Sequence, residues 1–176
     1  MSNLPLINLG LALLRLFVGL TIAAHGSQKV FGWFGGHGMK GFHGMVAQMR
    51  FKPAGLWAWA AALAEFGGGI LLALGLLSPM GNFAVIGAMI VAISSVHASK
   101  GFFNTNGGYK FPLLLLVSSL ALAITGPGVF SLDAILSTQF AAPIGIVIML
   151  LSLAGALTAL ASRHLTAPQR RRQQTT

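Results

Sequence analysis

The chain alternates long apolar stretches with short polar ones. Runs close to the length needed to cross a hydrocarbon layer, about 17 to 25 residues, fall at Leu6 to Ala24, Ala54 to Leu77, Asn82 to Ala98, Pro112 to Thr125 and Phe140 to Ala161. The fourth is short and must borrow residues from its flanks. Backbone polar groups inside lipid have to be satisfied within the segment itself, so such runs predict helices. The fold class expected is all-α, a polytopic transmembrane helix bundle. Ala60, Ala64 and Gly68 in the second run, and Ala84, Ala88 and Ala92 in the third, form small-residue ridges that let helices approach closely in lipid.

Between the first two runs lies "FGWFGGHGMKGFHGMVAQMRFKPAG". Its glycines break helix early, while Met39, Phe42, Met45, Val46 and Met49 recur at three-to-four spacing with Lys40, Gln48 and Arg50 off that stripe. This pattern predicts a short interfacial helix. The stripe reads as membrane contact or packing in preference to a cofactor box.

Composition sharpens the class. Hydrophobic residues make up 55% of the 176, charged residues only 7%, and mean hydropathy is +0.81; soluble chains carry roughly a quarter charged residues. The net charge of +9 sets eleven Lys and Arg against two acids, Glu65 and Asp133. Basicity therefore reflects missing acids more than a massed patch, and nucleic-acid binding is the weaker reading. Lys29, Lys40, Arg50, Lys52, Lys100, Lys110, Arg163 and Arg170 to Arg172 all fall on one face of a five-span arrangement, whereas "SPMG" and "GPGVFSLD" on the other face carry neither Lys nor Arg. The positive-inside rule puts the loaded face in the cytoplasm and the N-terminus outside. The N-terminus lacks the basic start of a signal peptide and carries Arg15 within its apolar run, so the first span is expected to be retained. The "QRRRQQTT" end reads as a polar, disordered tail. With no cysteine in the chain, thiol relays, iron-sulfur clusters and covalent haem attachment drop out, and a redox role must rely on a bound cofactor or a partner.

The candidate chemistry starts from Arg15. A charge at the bilayer centre costs about 2.5 to 3.5 kcal/mol on insertion scales, so it is normally paired or faces a polar cavity. Glu65, in "AALAEFGGG", is the acid well inside a span. From His25 back to Arg15 the rise is about 15 Å, and from Leu56 forward to Glu65 about 14 Å. If His25 and Leu56 lie level, the two charges meet, and an Arg15 to Glu65 ion pair is expected. Such a pair either locks helix register or also handles a proton or a polar ligand. At the ends of the spans, His25 and Lys29 stand one helical turn apart, and His97 and Lys100 precede "GFFNTNGGYK". The two histidines read as proton carriers or as interfacial hydrogen-bonding groups. They are too isolated to define a metal site, and none is assigned.

These segments together resemble the DoxX family of small bacterial membrane proteins: an arginine in the first helix followed by "HGSQKVFGWFGG", then "AEFGGGILLALGLLSP", "VHASKGFFNTNGGYK" and "GPGVFSLDAIL". By resemblance, Arg15, His25, Gly26, Lys29, Glu65, Gly68, His97, Gly107, Gly108 and Tyr109 match recurrent family positions. The resemblance implies a four-helix core over residues 1–136, an appended helix over 137–165 and a basic tail over 166–176, in a bacterial inner membrane. It also implies association with membrane redox systems, among them a quinone-reducing thiosulfate oxidation complex and assemblies with oxidative-stress enzymes. One departure is Lys110, where the family pattern "NGGYE" has a glutamate.

The leading expectation is a membrane subunit of a redox-linked system, not catalytic alone, with a polar intramembrane pocket that takes a quinone head group or another small polar ligand. Arg15, His25, Lys29, Glu65, His97 and Tyr109 are the candidate ligand-binding or proton-handling residues, and Gly26, Gly68, Gly107 and Gly108 the structural motif. The rival readings are a small-solute or ion permease and a scaffold that recruits soluble enzymes through its basic face.

Overall fold

The structure, a computed structural model, describes residues 4–138 and 140–164. The basic tail expected at 166–176 lies outside the described residues. Seven α-helices form the described part: α1 (Leu4–Val30), α2 (Gly38–Gln48), α3 (Ala54–Leu74), α4 (Ser78–Ala92), α5 (Lys110–Thr125), α6 (Leu132–Leu136) and α7 (Ala142–Ser162). Leu4–Val30, Ala54–Leu74, Ser78–Lys100 and Pro143–Ser162 are long and apolar enough to cross a membrane. The fourth apolar run gives the shorter α5, as its length in the sequence indicates.

Local chemistry sets the ends. α1 continues through Gly26 to Val30, and Gly32, whose φ is 77°, stands beyond its end. Pro53 precedes α3, and Gly75 at φ 62° closes it, its N–H returning to the Leu72 carbonyl. α4 does not end cleanly: Ile93–His97 forms a π turn followed by a 3-10 turn, Ala98–Lys100.

The bundle is held by two close helix seams. On α1, a Cβ placed at Gly19 would collide with the backbone of Ala73, and one at Gly26 with the backbone of Phe66; on α3, one at Gly69 would collide with Ala23. Glycine here lets two helices meet nearly backbone to backbone. Gly68 packs against Gly81, Ala84 and Val85 of α4. Val18, Ile22, Leu72, Val85, Leu115 and Leu122 fill the core between α1, α3, α4 and α5. Leu13, Phe17, Leu20, Leu63, Ile124 and Leu157 point outward, as lipid-facing side chains do in a bundle whose exterior is not water.

The methionine stripe of α2 is in part protein contact. Phe42 and Val46 are buried with Phe51, Ala58, Ala62 and Ala159, and Met39 and Met49 pack beside them. α7 closes the outer side of the bundle. Its Ser152 hydroxyl donates to the Phe83 carbonyl of α4 at 2.5 Å, and Arg163 beyond its end donates to the Met49 carbonyl at 3.0 Å while standing over the Phe51 ring.

Candidate functional site

A cavity of about 790 Å³ opens between α1, α3, α4, α5 and α7, with α2 at its edge. Its walls are mostly apolar: Ile22, Ala64, Ala88, Leu115, Leu151 and Ala156 are representative. Among them stand His25, Lys29, Glu65 and His97, with Gly107 and Gly108 at the turn before α5. Four of the six candidate ligand-binding side chains therefore share one wall system.

Lys29 and Glu65 form a direct ion pair. Glu65 is buried in α3 and spends Oε1 on the Lys29 ammonium; its other oxygen, Oε2, is buried without a hydrogen-bond partner. A carboxylate oxygen in that state forgoes hydration it would have in water, and such a group calls for a donor. The ammonium also lies 4.9 Å from the centroid of the Phe42 ring, close enough for a cation–π contact.

His97 is fixed by the glycine turn. Its Nδ1 lies 2.7 Å from the Gly107 carbonyl oxygen, and since a carbonyl can only accept, Nδ1 carries the proton. In the neutral ring Nε2 is then an acceptor. Gly107 adopts φ 74°, a left-handed conformation that favours glycine, and this turns its carbonyl toward the ring. Gly108 must be glycine for a different reason: a Cβ there would strike the Gly101 carbonyl. His25 is exposed, its ring 5.4 Å from that of Phe111.

The expected Arg15 to Glu65 pair does not form. Arg15 is buried, but its guanidinium donates to three carbonyls: Ala73 at 3.1 Å, and Pro127 and Phe130 at 2.6 Å each. The error lies in register. Gly26 sits against Phe66, so it is the end of α1, not its middle, that is level with Glu65; the rise from Arg15 to Gly26 is about 16 Å. Arg15 instead lies at the end of α3, against Gly75, and takes no part in the cavity wall. Tyr109 also stays outside, its ring edge-on to Phe102, and Lys110 is exposed with its Nζ 6.0 Å from the Phe103 ring centroid. The departure from the family pattern at position 110 thus falls outside the cavity lining. Gly26 and Gly68 shape the two helix seams.

Sequence reasoning missed a second polar centre. Asp133 on α6 is buried and accepts hydrogen bonds from the N–H groups of Leu77 and Ser78 at 2.8 and 2.9 Å, from the Ser78 hydroxyl at 2.6 Å and from the Thr138 hydroxyl at 2.9 Å. It caps α4 from outside that helix. Burial pushes its carboxyl up, but the bonds from Ser78, Thr138 and Leu77 outweigh burial and hold it below its ordinary value. Its own N–H donates to the Gly75 carbonyl, so Arg15 and Asp133 together tie the α5–α6 connection to the α3–α4 turn. The available signal was the acid count: with only two in the chain, a lone Asp beside a loop serine is expensive to leave unpaired.

Comparison with known proteins agrees with this architecture. A Bacillus subtilis (strain 168) protein named "Putative oxidoreductase CatD" is 30% identical over 128 residues, 71% of this chain and 85% of that relative. A Haemophilus influenzae (strain ATCC 51907 / DSM 11121 / KW20 / Rd) protein named "Uncharacterized protein" is 33% identical over 70 residues, 40% of this chain and 46% of that relative. No solved structure matches the chain. The model of the family described as DoxX matches residues 10–98, the stretch that contributes Lys29, Glu65 and His97 to the cavity, and the chain belongs to the DoxX family.

Proposed function

We propose that this chain is the membrane-embedded, ligand-holding subunit of a redox-linked system, and that its cavity receives the ring of a quinone-type lipid. The observation that carries the reading is the Lys29–Glu65 ion pair in the wall of a largely apolar space of about 790 Å³. That is within the size range of small-molecule sites, and a hydrophobic lining with few polar groups suits a lipid-soluble ring. The printed name of the Bacillus subtilis relative lends support to a redox setting. With no cysteine in the chain, electrons would pass between the ring and a partner enzyme or its cofactor, while the residues here bind, orient and exclude water. Lys29 and His97 would hold the ring's oxygens, and Glu65 would keep the Lys29 ammonium aimed. The orientation we favour puts the His97 end, which collects Lys29, Lys52, Lys100 and Arg163, in the cytoplasm.

Purification in mild detergent, followed by mass analysis of extracted lipids, tests the reading. Near-stoichiometric quinone-type lipid in the parent protein, lost in Glu65→Leu at a temperature where that variant keeps the parent's helix content, is the expected result. Ligand-free protein that passes a small solute across liposome membranes would overturn it in favour of a permease.

A further inference from the structure

α7 packs along α4 but has no comparable seam with α3. Against α4, the Ser152 hydroxyl donates to the Phe83 carbonyl at 2.5 Å and Pro79 stands beside Gly145. Toward α3 it is the last turn of α7 that reaches across. Ala159 is buried with Ala58 and Ala62, the Lys52 N–H donates to the Ser162 hydroxyl at 3.4 Å, and Arg163 donates to the Met49 carbonyl. The space between α3 and α7 is therefore pinned shut at one end and left as a cleft along the rest.

The cavity follows this cleft. Its charged and imidazole side chains gather at the pinned end, where Lys29 pairs with Glu65 and His25 and His97 stand. Toward the other end the lining is Met80, Ala84, Ile148 and Leu151, with Ser152, whose proton is spent on Phe83. Along α4 the rise from His97 back to Met80, both in the lining, is about 25 Å, far longer than a single ring. Ala60, Met80, Leu151 and Gly155 line the cavity and are also exposed, so its long side opens on the lipid-facing surface.

We propose that this cleft is a lateral portal and tail site: a single-tailed ring lipid enters from the bilayer, its ring at the Lys29–His97 end and its tail lying along α4 between α3 and α7. This rests on the proposed function and adds the part of the ligand that the polar residues do not touch. A tail that leaves through an apolar side opening never crosses water, and the backbone beside it is helical on every wall. Glu65 already neutralises the cation at the closed end, which suits an uncharged ring better than a phosphate head group.

The test is photolabelling of the full chain in nanodiscs of diacyl phospholipid, whose own chains compete in excess. Two probes share a benzoquinone ring with one hexadecyl tail and carry a diazirine either beside the ring or at the far end of the tail. Labelling displaced by excess unlabelled hexadecyl-benzoquinone is mapped by mass spectrometry. The near-ring label should fall on peptides that carry Ala64 and His97, and the far-end label on those that carry Met80 and Leu151. A Cβ added at Gly155 meets nothing within 4 Å, so Gly155→Leu should fill the cleft, keep the parent's melting temperature and lower displaceable far-end labelling at least about fivefold. Displaceable far-end labelling on Leu13, Phe17 or Leu20, or the two labels in reversed places, overturns the portal and leaves the proposed function standing. No displaceable labelling of the parent by either probe overturns both.

Discussion

Lys29 of α1 reaches Glu65 of α3 because Gly26, one turn earlier, lies against the backbone of Phe66. The two glycine-lined seams therefore do more than pack helices: they fix which cation meets the buried carboxylate. Glu65 is 3% exposed, so removing Lys29 leaves a charge with neither partner nor water. Lys29→Met and Glu65→Leu should each lower the melting temperature in detergent, and the double variant should recover part of the loss, with a coupling of about 0.5 to 3 kcal/mol. Strict additivity in that double-mutant cycle would mean that the pair is not a stabilising contact.

Arg15 is a carbonyl clamp, and the planar fork of a guanidinium is what lets one side chain serve Ala73, Pro127 and Phe130 at once. An ammonium cannot reproduce that geometry. Arg15→Lys should destabilise the fold by about 1.5 to 3 kcal/mol, the range for hydrogen bonds to a charged group. Adding Glu65→Leu should bring no rescue, the two effects summing within about 0.5 kcal/mol because the sites share no partner. Rescue of Arg15→Leu by Glu65→Leu in a thermal melt would restore the direct pairing that sequence depth alone suggests.

The sequence made the helices legible because apolar run length is a strong signal, and it made Glu65, Lys29 and His97 legible because charge and imidazole are rare in such runs. What it could not carry was register. Sliding α1 along α3 changes no composition, so Arg15 and Lys29 were equally available to Glu65; the choice is made by where Gly19, Gly26 and Gly69 let the backbones touch. Asp133 was harder still, since its ligands are mainly the N–H groups at the start of α4 and the hydroxyls of Ser78 and Thr138. Backbone donors are present at every residue and announce nothing in a sequence. The role of Gly107 is of the same kind: its carbonyl sets the tautomer of His97, and only the folded turn brings them together.

Asp133 predicts an acid limit to stability. Its folded carboxyl is held below the ordinary value of 3.8 by Ser78, Thr138 and Leu77, against the upward push of burial. A carboxyl depressed in the folded state contributes stability that is complete above the unfolded value and is lost as pH falls through the folded one. The parent protein should therefore hold its melting temperature down to about pH 4 and lose it below. Asp133→Asn should melt lower at neutral pH and show a flatter acid limb. A parent and variant with parallel profiles between pH 6 and pH 3 in the same detergent would show that the Asp133 cap is not the acid-sensitive element.

Glycine position offers the sharpest separation of packing from propensity. Gly26 and Gly67 are both helical, but an added Cβ at Gly26 would collide with the Phe66 backbone, whereas at Gly67 it meets nothing within 4 Å. Backbone cannot step aside as a side-chain tip can, so Gly26→Ala must push α1 from α3 at the level where Lys29 reaches Glu65. Its cost should be about 1 to 3 kcal/mol, the range for overpacking. Gly67→Ala removes a flexible residue from a helix interior without a clash and should stabilise by about 0.5 to 1 kcal/mol. Opposite shifts in melting temperature are thus expected from the same one-carbon change on neighbouring helices. The Gly26 variant should also retain less quinone-type lipid on purification, beyond what its stability loss accounts for at a temperature where it is fully folded, because separating the helices draws Lys29 from Glu65. A Gly26→Ala protein that melts and binds like the parent would show that the α1–α3 seam has slack, and with it that the ion pair does not depend on that contact.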